Sequence, residues 1–235
     1  MRTGTLFLIP VPLGDKAGGN QIPDQNVALI NTLSEFIVED LRTARRHLKL
    51  MGMKSPIESL AFHEIGKHSD PSVYITYLQN CLEGKNIGLL SDAGCPGIAD
   101  PGAEIVRLAH ARNIRVAPLV GPSSILLALM ASGSNGQQFC FHGYLPINRP
   151  DRVRKIKELE QQTRKTGHTQ LFIETPFRNN HLLEDLLKEC HDDTLLCIAC
   201  DLTQSTELIF TKPIRDWKKK IPDLHKRPAV FLFCS

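Results

Sequence analysis

The sequence lacks the long hydrophobic segments of membrane and secreted proteins. It has no uninterrupted apolar run near the roughly 18–20 residues of a membrane span. Its first residues, MRTGTLFLIPVPLGD, lack the longer apolar core and small-residue cleavage site of a signal peptide. The net charge is only +3 and 42% of residues are hydrophobic, which describes an ordinary globular chain. We therefore expect a cytoplasmic protein without a membrane partner.

Metal-binding and phosphate-binding motifs are also missing. Neither the dinucleotide fingerprint GxGxxG nor the triphosphate loop GxxxxGK[ST] occurs. The one CxxC, Cys197 to Cys200, lies in an apolar run typical of a strand, where residues three apart point to opposite faces. His63 and His68 are five residues apart, which does not match a zinc-protease helix. The sequence thus predicts no metal site, and seven scattered cysteines predict reduced thiols rather than a disulfide framework.

Short apolar runs alternate with segments of helical period, which predicts an α/β fold of two α/β domains. The strand candidates are TLFLIP, NIGLLSD, IRVAPLV, QFCFHGYL, QLFIET, LLCIACDL, ELIFT and AVFLFC. The helical patterns cover about 28–50, 70–83, 102–112, 122–132, 150–165 and 178–190. The first strands favour a parallel sheet, whereas the closely spaced strands at 194–202, 207–212 and 229–234 favour a mixed second sheet. A strand ends in Gly-Pro near 117–124, so we place the domains at 1–118 and 119–235, and the polar segment 14–26 is predicted to be a loop.

The segment SDAGCPGIADPG, residues 91–102, follows a predicted strand, and ligands of open α/β sheets bind at such strand ends. Pro96 and Pro101 each remove an N–H donor, and Asp92 repels phosphate, so the loop suits a ligand with amines or hydroxyls. Asp100 is predicted to cap the following helix, with Pro101 as its first residue. For Asp92, ligand contact and a structural role both remain open at this point.

Eight motifs distributed nearly end to end carry a resemblance. They are LFLIPVPLGD at 6–15, EDLR at 39–42, HEIGK at 63–67, SDAGCPGIADPG at 91–102, LVGPSS at 119–124, FHGYLP at 141–146, IETPFR at 173–178 and CDLTQ at 200–204. In these segments the chain resembles the tetrapyrrole methylase superfamily of S-adenosylmethionine-dependent methyltransferases. Within it, the motifs are most similar to the ribosomal RNA small-subunit methyltransferase I branch, which acts on a ribose 2′-hydroxyl.

The resemblance implies a homodimer whose S-adenosylmethionine cofactor lies in a cleft between the two α/β domains. By the same resemblance, the cofactor-binding residues are Pro12, Asp92, Gly94, Ile98, Pro122, Ser123, Ser124, Leu145, Thr175 and Leu202. Of the four polar residues in cleft motifs, Glu39, Asp40, His63 and Glu64, we take Asp40 and Glu64 as candidates for a catalytic base; surface salt bridges are the alternative. The implied partner is ribosomal RNA or the small ribosomal subunit.

The chain departs from the branch at several positions. Asp15 and Lys16 replace Asn-Leu, Leu41 replaces a threonine and Asp201 a glutamate. The late KGExVL motif is replaced by KRPAVF at 226–231, without its carboxylate. These changes leave the cofactor scaffold intact, but they make the RNA substrate a weaker implication of the resemblance than the cofactor. Methylation of a small molecule such as a tetrapyrrole precursor, and cofactor or RNA binding without catalysis, therefore remain alternatives.

Two clusters of basic residues bear on the RNA substrate, since phosphate contacts dominate affinity for nucleic acid. The first cluster comprises Arg42, Arg45, Arg46, Lys49 and Lys54, and the second Arg149, Arg152, Arg154, Lys155 and Lys157. Four members of the first recur at i, i+3, i+4 and i+7, which places them on one face of a helix. A solvated helix face and an RNA-binding surface both fit this spacing.

Overall fold

The computed structural model describes residues 3–14, 21–66 and 70–234. It divides into two compact units, Met1–Ser123 and Ser124–Ser235, and each unit has its own five-stranded sheet. The predicted boundary at 118/119 lies on the same connection, and the assignment of the domains to 1–118 and 119–235 stays a prediction. Residues 15–20 of the predicted loop 14–26, and His68, fall outside the described residues, and residues 24–26 begin a helix instead.

The sheet of the first unit is entirely parallel, in the order β3-β2-β4-β1-β5. Its strands are β1 (Thr5–Ile9), β2 (Glu35–Val38), β3 (Ala61–Glu64), β4 (Ile87–Leu90) and β5 (Arg115–Pro118). Alternate residues of a strand point to opposite faces, and here they enter two separate cores. Phe36 and Val38 pack into one core, whereas Ile37 packs into the other. Both faces of the sheet are therefore covered, as parallel sheets require.

The described residues of the first unit form four α-helices: α1 (Asp24–Ile30), α2 (Leu41–Leu50), α3 (Gln79–Leu82) and α4 (Gly102–Ala111). The predicted helix at 102–112 is confirmed, but the helix predicted over 28–50 is wrong, because a fully buried strand, β2, separates α1 from α2. Strand β3 was not predicted. The segment 70–83, predicted as one helix, instead has two 3-10 turns, Pro71–Val73 and Thr76–Leu78, followed by the single turn of α3. Val73, Ile75 and Thr76 are β-branched, which lowers helix propensity there.

The sheet of the second unit is mixed, as predicted. Its strand order is β6-β7-β10-β8-β9. Its strands are β6 (Phe139–Tyr144), β7 (Thr169–Ile173), β8 (Leu195–Cys200), β9 (Leu208–Pro213) and β10 (Ala229–Cys234). Only β6 and β7 pair in parallel, while β10 runs antiparallel to β7 and β8, and β9 antiparallel to β8. All eight predicted strands of the chain are present.

Helices of the second unit are α5 (Ser124–Ser132), α6 (Arg149–Thr166), α7 (Asn179–Glu189) and α8 (Ile214–Lys219). The first three confirm the predicted segments, and α8 was not predicted. The core is built from Ile156 of α6, Leu186 of α7, and Phe172 and Phe231 of the sheet. Cys200 belongs to this core but Cys197 does not, as expected for residues three apart on a strand. In the described ranges, no helix is long and apolar enough to cross a membrane.

Candidate active site

The loops that follow β1, β4 and β5 meet at the carboxyl edge of the parallel sheet, where these three strands are neighbours. Val11 and Gly94 form a backbone bridge, with the Val11 N–H donating to the Gly94 carbonyl at 2.9 Å and the reverse bond at 3.2 Å. Gly94 has φ +69°, and a side chain there would approach Leu13 at 3.0 Å and the Pro122 carbonyl at 3.3 Å. Only glycine meets both demands without strain.

The loop after β5 closes against the same two segments. A Cβ atom on Gly121 would lie 2.2 Å from the Cβ of Pro10, so the Gly121 backbone packs directly against the Pro10 side chain. The Cys95 thiol donates to the Pro122 carbonyl over 3.3 Å. Through these contacts the structure brings together four residues that the resemblance assigns to the cofactor: Pro12, Gly94, Pro122 and Ser123.

Asp92 follows β4 and is held mainly through its backbone. Its N–H donates to Glu39 Oε2 at 3.2 Å, and its carbonyl accepts from His47 Nε2 at 3.0 Å. Its carboxyl accepts a backbone hydrogen bond from Asp40, but its Oδ1 is buried and has no hydrogen-bond partner among the described residues. Burial raises the pKa of Asp92, and the charge of Asp40 raises it further. A buried carboxylate oxygen without a hydrogen-bond partner, such as Asp92 Oδ1, suits a ligand that donates a hydrogen bond.

Glu39 lies at the end of β2, beside Asp92 in the sheet order. Burial raises the pKa of Glu39, and the Asp92 carboxyl adds to the shift, although the hydrogen bond from the Asp92 N–H opposes it. Two partly buried carboxyl groups therefore act on each other, which is a common arrangement at functional sites. The sequence analysis did not select Glu39 as a candidate base. Its position directly before Asp40, at the end of a strand, is the sequence feature that could have pointed to it.

The two predicted candidates for a base, Asp40 and Glu64, lie together at the N-terminus of α2. Asp40 Oδ1 accepts from the Thr43 N–H at 2.7 Å as the N-cap, and Glu64 Oε1 accepts from the Leu41 N–H at 3.2 Å. Hydrogen bonds from Thr43 lower the pKa of Asp40. Both carboxylates thus satisfy helix N–H groups that lack partners within the helix. Their catalytic role stays a prediction.

The second half of the loop 91–102 is shaped by Asp100. Its carboxylate accepts from the Gly97 N–H at 2.9 Å and the Gly102 N–H at 2.7 Å. The structural role predicted for Asp100 is confirmed, but the N-cap of α4 is Pro101, one residue later than predicted. Burial raises the pKa of Asp100 despite these two hydrogen bonds. Ile98, at the turn that Asp100 closes, is 52% exposed and presents an apolar side chain to solvent.

Three predicted cofactor residues of the second unit lie just beyond strand ends. Leu145 follows β6, Thr175 lies shortly after β7, and Leu202 follows β8. These strands run in one direction, since β10 pairs antiparallel with both β7 and β8, so the three residues share one edge of the sheet. Leu145 and Leu202 are buried, and their contact with a cofactor stays a prediction. Ser124 begins α5.

Comparison with known proteins identifies the family. The sequence profile described as Tetrapyrrole (Corrin/Porphyrin) Methylases matches residues 29–217. The chain belongs to this family. It is a methyltransferase with two α/β units, as the sequence predicted.

Similar curated proteins carry the name ribosomal RNA small subunit methyltransferase I. The protein from Escherichia coli O157:H7 is 30% identical over 97% of this chain and 77% of its own length. The protein from Bacillus subtilis (strain 168) is 35% identical over 87% of this chain and 65% of its own length. Among solved structures, the methyltransferase CobJ is similar in fold, with a TM-score of 0.64 and 19% identity over 100% of this chain and 95% of its own. A cobalt precorrin-4 methyltransferase has a TM-score of 0.60 and 12% identity over 98% and 94%.

Proposed function

We propose that this protein transfers a methyl group from S-adenosylmethionine to a ribose 2′-hydroxyl of the small-subunit ribosomal RNA, in the cytoplasm. The names of the curated relatives support the RNA substrate. The observation that carries the cofactor is the buried, unpartnered Oδ1 of Asp92 on a glycine-rich loop at the carboxyl edge of a parallel sheet.

The site fits S-adenosylmethionine better than a nucleoside phosphate. S-adenosylmethionine carries an amino group and ribose hydroxyls, which donate hydrogen bonds to a carboxylate such as Asp92, and it has no phosphate to be repelled. Gly97 leaves its backbone open to close approach by a ligand, whereas Gly94 lets Leu13 and the Pro122 carbonyl pack against the loop. Ile98 offers exposed apolar surface, and we place the buried Pro12 at the same end of the cofactor. We place Pro122, Ser123, Ser124, Leu145, Thr175 and Leu202 around the rest of the cofactor.

Methyl transfer is an in-line displacement, so the protein acts by aligning the acceptor oxygen and excluding water. The hydroxyl must also lose its proton to a base whose pKa lies near the working pH. Glu39 fits this role better than Asp40, because burial and Asp92 raise the pKa of Glu39 whereas Thr43 lowers that of Asp40. Glu64 remains a further candidate. When bound, the cofactor supplies the electrophilic methyl group.

Calorimetric titration with S-adenosylmethionine tests the cofactor site. We expect Asp92→Ala to weaken binding at least about tenfold, because a lost hydrogen bond to a charged group changes the free energy by about 1.5–3 kcal/mol. Glu104→Gln is the matched control, since Glu104 is a surface carboxylate of the same unit, paired with Arg107. Equal affinities of the two variants would remove Asp92 from the site.

The acceptor is tested by incubating the protein with methyl-labelled cofactor and small ribosomal subunits from cells that lack this protein. We expect label in the RNA and resistance of one linkage to alkaline cleavage, because a methylated 2′-oxygen cannot attack the neighbouring phosphate. Label in small molecules of a cell extract instead would favour a tetrapyrrole-type substrate. Cofactor binding with no transfer to any fraction would favour a non-catalytic protein.

We further propose a homodimer that forms through the second unit. Apolar side chains are exposed there on α5 and on the strands β6 and β9: Leu126, Met130, Phe139 and Phe210. Helix α5 is apolar around its whole circumference, so part of its apolar surface faces solvent. Met130 is its most exposed large apolar side chain, at 79%. Exposed apolar patches of this kind mark association surfaces. Sedimentation of the wild type should give a dimer and that of Met130→Asp a monomer, and a monomeric wild type would refute the proposal.

A further inference from the structure

Helix α2 has one buried face and one cationic face. Ala44, His47 and Leu48 are buried. The opposite side exposes the four residues that we name the α2 cationic face, Arg42, Arg45, Arg46 and Lys49. These residues line an open groove of about 600 Å³, in which Asp40 at the N-terminal end is the one acidic side chain.

Three cations of this face form no ion pair within the described part of the chain. Arg42, Arg45 and Lys49 have no carboxylate partner there; the Arg45 guanidinium instead lies 5.6 Å from the centre of the Phe62 ring. The basic cluster of α6 differs in this respect. Each of its five members contacts a carboxylate: Arg149 and Arg152 pair with Asp185, Arg154 with Asp151, Lys155 with Glu158, and Lys157 with Glu189.

The α2 cationic face is rigidly joined to the proposed cofactor loop. On the buried side of the helix, His47 donates to the Asp92 carbonyl at 3.0 Å. At its N-terminus, the Asp40 backbone bonds to the Asp92 carboxyl, and the charge of Arg46 acts on the same group. An anion bound along α2 is therefore positioned relative to Asp92 by a single helix.

We propose that the α2 cationic face binds the phosphate backbone of the RNA substrate and so positions the acceptor ribose beside the Asp92 loop. This inference rests on the proposed function. Arg42 and Lys49 are separated by about 10 Å along the helix, at 1.5 Å per residue. A row of cations of that length follows a nucleic-acid strand better than it surrounds one small anion. The guanidinium of Arg45, stacked near Phe62, is pre-ordered for a planar contact.

The test compares two triple variants with the same change in charge. Arg42→Gln/Arg45→Gln/Lys49→Gln removes the unpaired cations of α2, and Arg154→Gln/Lys155→Gln/Lys157→Gln removes paired cations of α6. Binding of a fluorescent single-stranded RNA oligonucleotide is measured over a range of salt concentrations. Three lost phosphate contacts should reduce the slope of log K against log salt by about 2, since each contributes about 0.7 on single strands. The α6 variant should keep the wild-type slope.

Turnover on small ribosomal subunits gives a second readout. The α2 variant should raise KM for the subunits while its calorimetric affinity for S-adenosylmethionine stays at the wild-type value. The conservative variant Arg42→Lys/Arg45→Lys keeps both positive charges and should therefore keep most of the wild-type salt slope. Thermal melts of all variants establish that each is folded.

Three results would overturn the inference. One is a folded α2 variant whose salt slope for RNA binding and whose KM for the ribosomal subunits equal those of the wild type. Another is an equal loss in the α6 variant. The third is binding of polyglutamate as tight as that of RNA, which would indicate an acidic protein partner. If the wild type methylates no ribosomal RNA, the proposed function fails instead, and RNA binding by α2 is then judged from the salt slope alone.

Discussion

Helices α2 and α6 are similarly rich in arginine and lysine, but tertiary structure gives these residues different surroundings. The partners of the α6 cations lie on α6 itself and on α7, where Asp185 is buried between Arg149 and Arg152. On α2, the Arg45 guanidinium lies over the ring of Phe62 in β3, and Arg42 and Lys49 have no carboxylate partner among the described residues. A basic run in a sequence therefore says little about ligand binding until the acidic residues that fold against it are known.

The largest effect separating the two helices is expected at Asp185. Asp185→Ala leaves Arg152, which is buried and bonded at 2.7 Å and 2.9 Å to the lost carboxylate, without its charge partner. Breaking a buried pair in this way costs about 3–5 kcal/mol in the free energy of unfolding. Chemical denaturation measures the change, with Glu184→Ala on the exposed side of α7 as the control. A loss below about 1 kcal/mol would show that the pair does not stabilise α6 against α7.

The opposite sign is expected at Asp92, the buried carboxyl beside α2. Its pKa is raised above the ordinary 3.8 by burial, so the folded state disfavours its charge at neutral pH. Asp92→Asn should increase the free energy of unfolding without cofactor by roughly 1–3 kcal/mol, the usual penalty of an unsatisfied buried group. The increase should vanish as the pH falls well below 3.8, because the wild-type group is then protonated in both the folded and the unfolded state. Denaturation at neutral and acidic pH measures both values; equal or lower stability of Asp92→Asn at neutral pH contradicts the prediction.

The N-caps give a smaller difference. Asp40 caps α2 through Thr43, whereas Asn148, at the same position of α6, makes no side-chain capping bond. Asp40→Ala should cost about 1 kcal/mol and Asn148→Ala clearly less. Because the pKa of Asp40 is lowered, its contribution is present above pH 3.8 and is lost as the pH falls below that value. Thermal unfolding of both variants at two pH values is the measurement, and equal losses would remove the contrast.

The smallest effects are expected for surface cations. Arg42→Gln and Lys49→Gln should change stability by less than about 0.5 kcal/mol, since neither has an ion pair among the described residues. Lys155→Gln should cost about 0.2–0.5 kcal/mol through its i,i+3 partner Glu158. Denaturation of the three single variants compares them. A larger loss in α2 than in α6 would mean that α2 cations stabilise the fold.

The long apolar strands were predictable from the sequence, and the loop 91–102 was recognisable from its turn residues. Strand β2 was not, because it lies inside the segment 28–50 that was predicted as one helix, and β3 was not, because it is an edge strand with little burial. The cap formed by Asp40 and the capping role of Asp100 follow from local hydrogen bonding. The coupling of Glu39, His47 and Asp92 depends on pairing between β2 and β4, which no local pattern encodes.

The bridge between Val11 and Gly94 has a consequence for how this family can diverge. It fastens the loop after β1 to the loop after β4 before the chain reaches Asp15, where this sequence departs from the motif of the branch. Substitutions at positions 15 and 16 leave both bridge residues unchanged. The sequence of this chain can therefore depart from the branch motif at Asp15 and Lys16 while the backbone link between the two loops is kept.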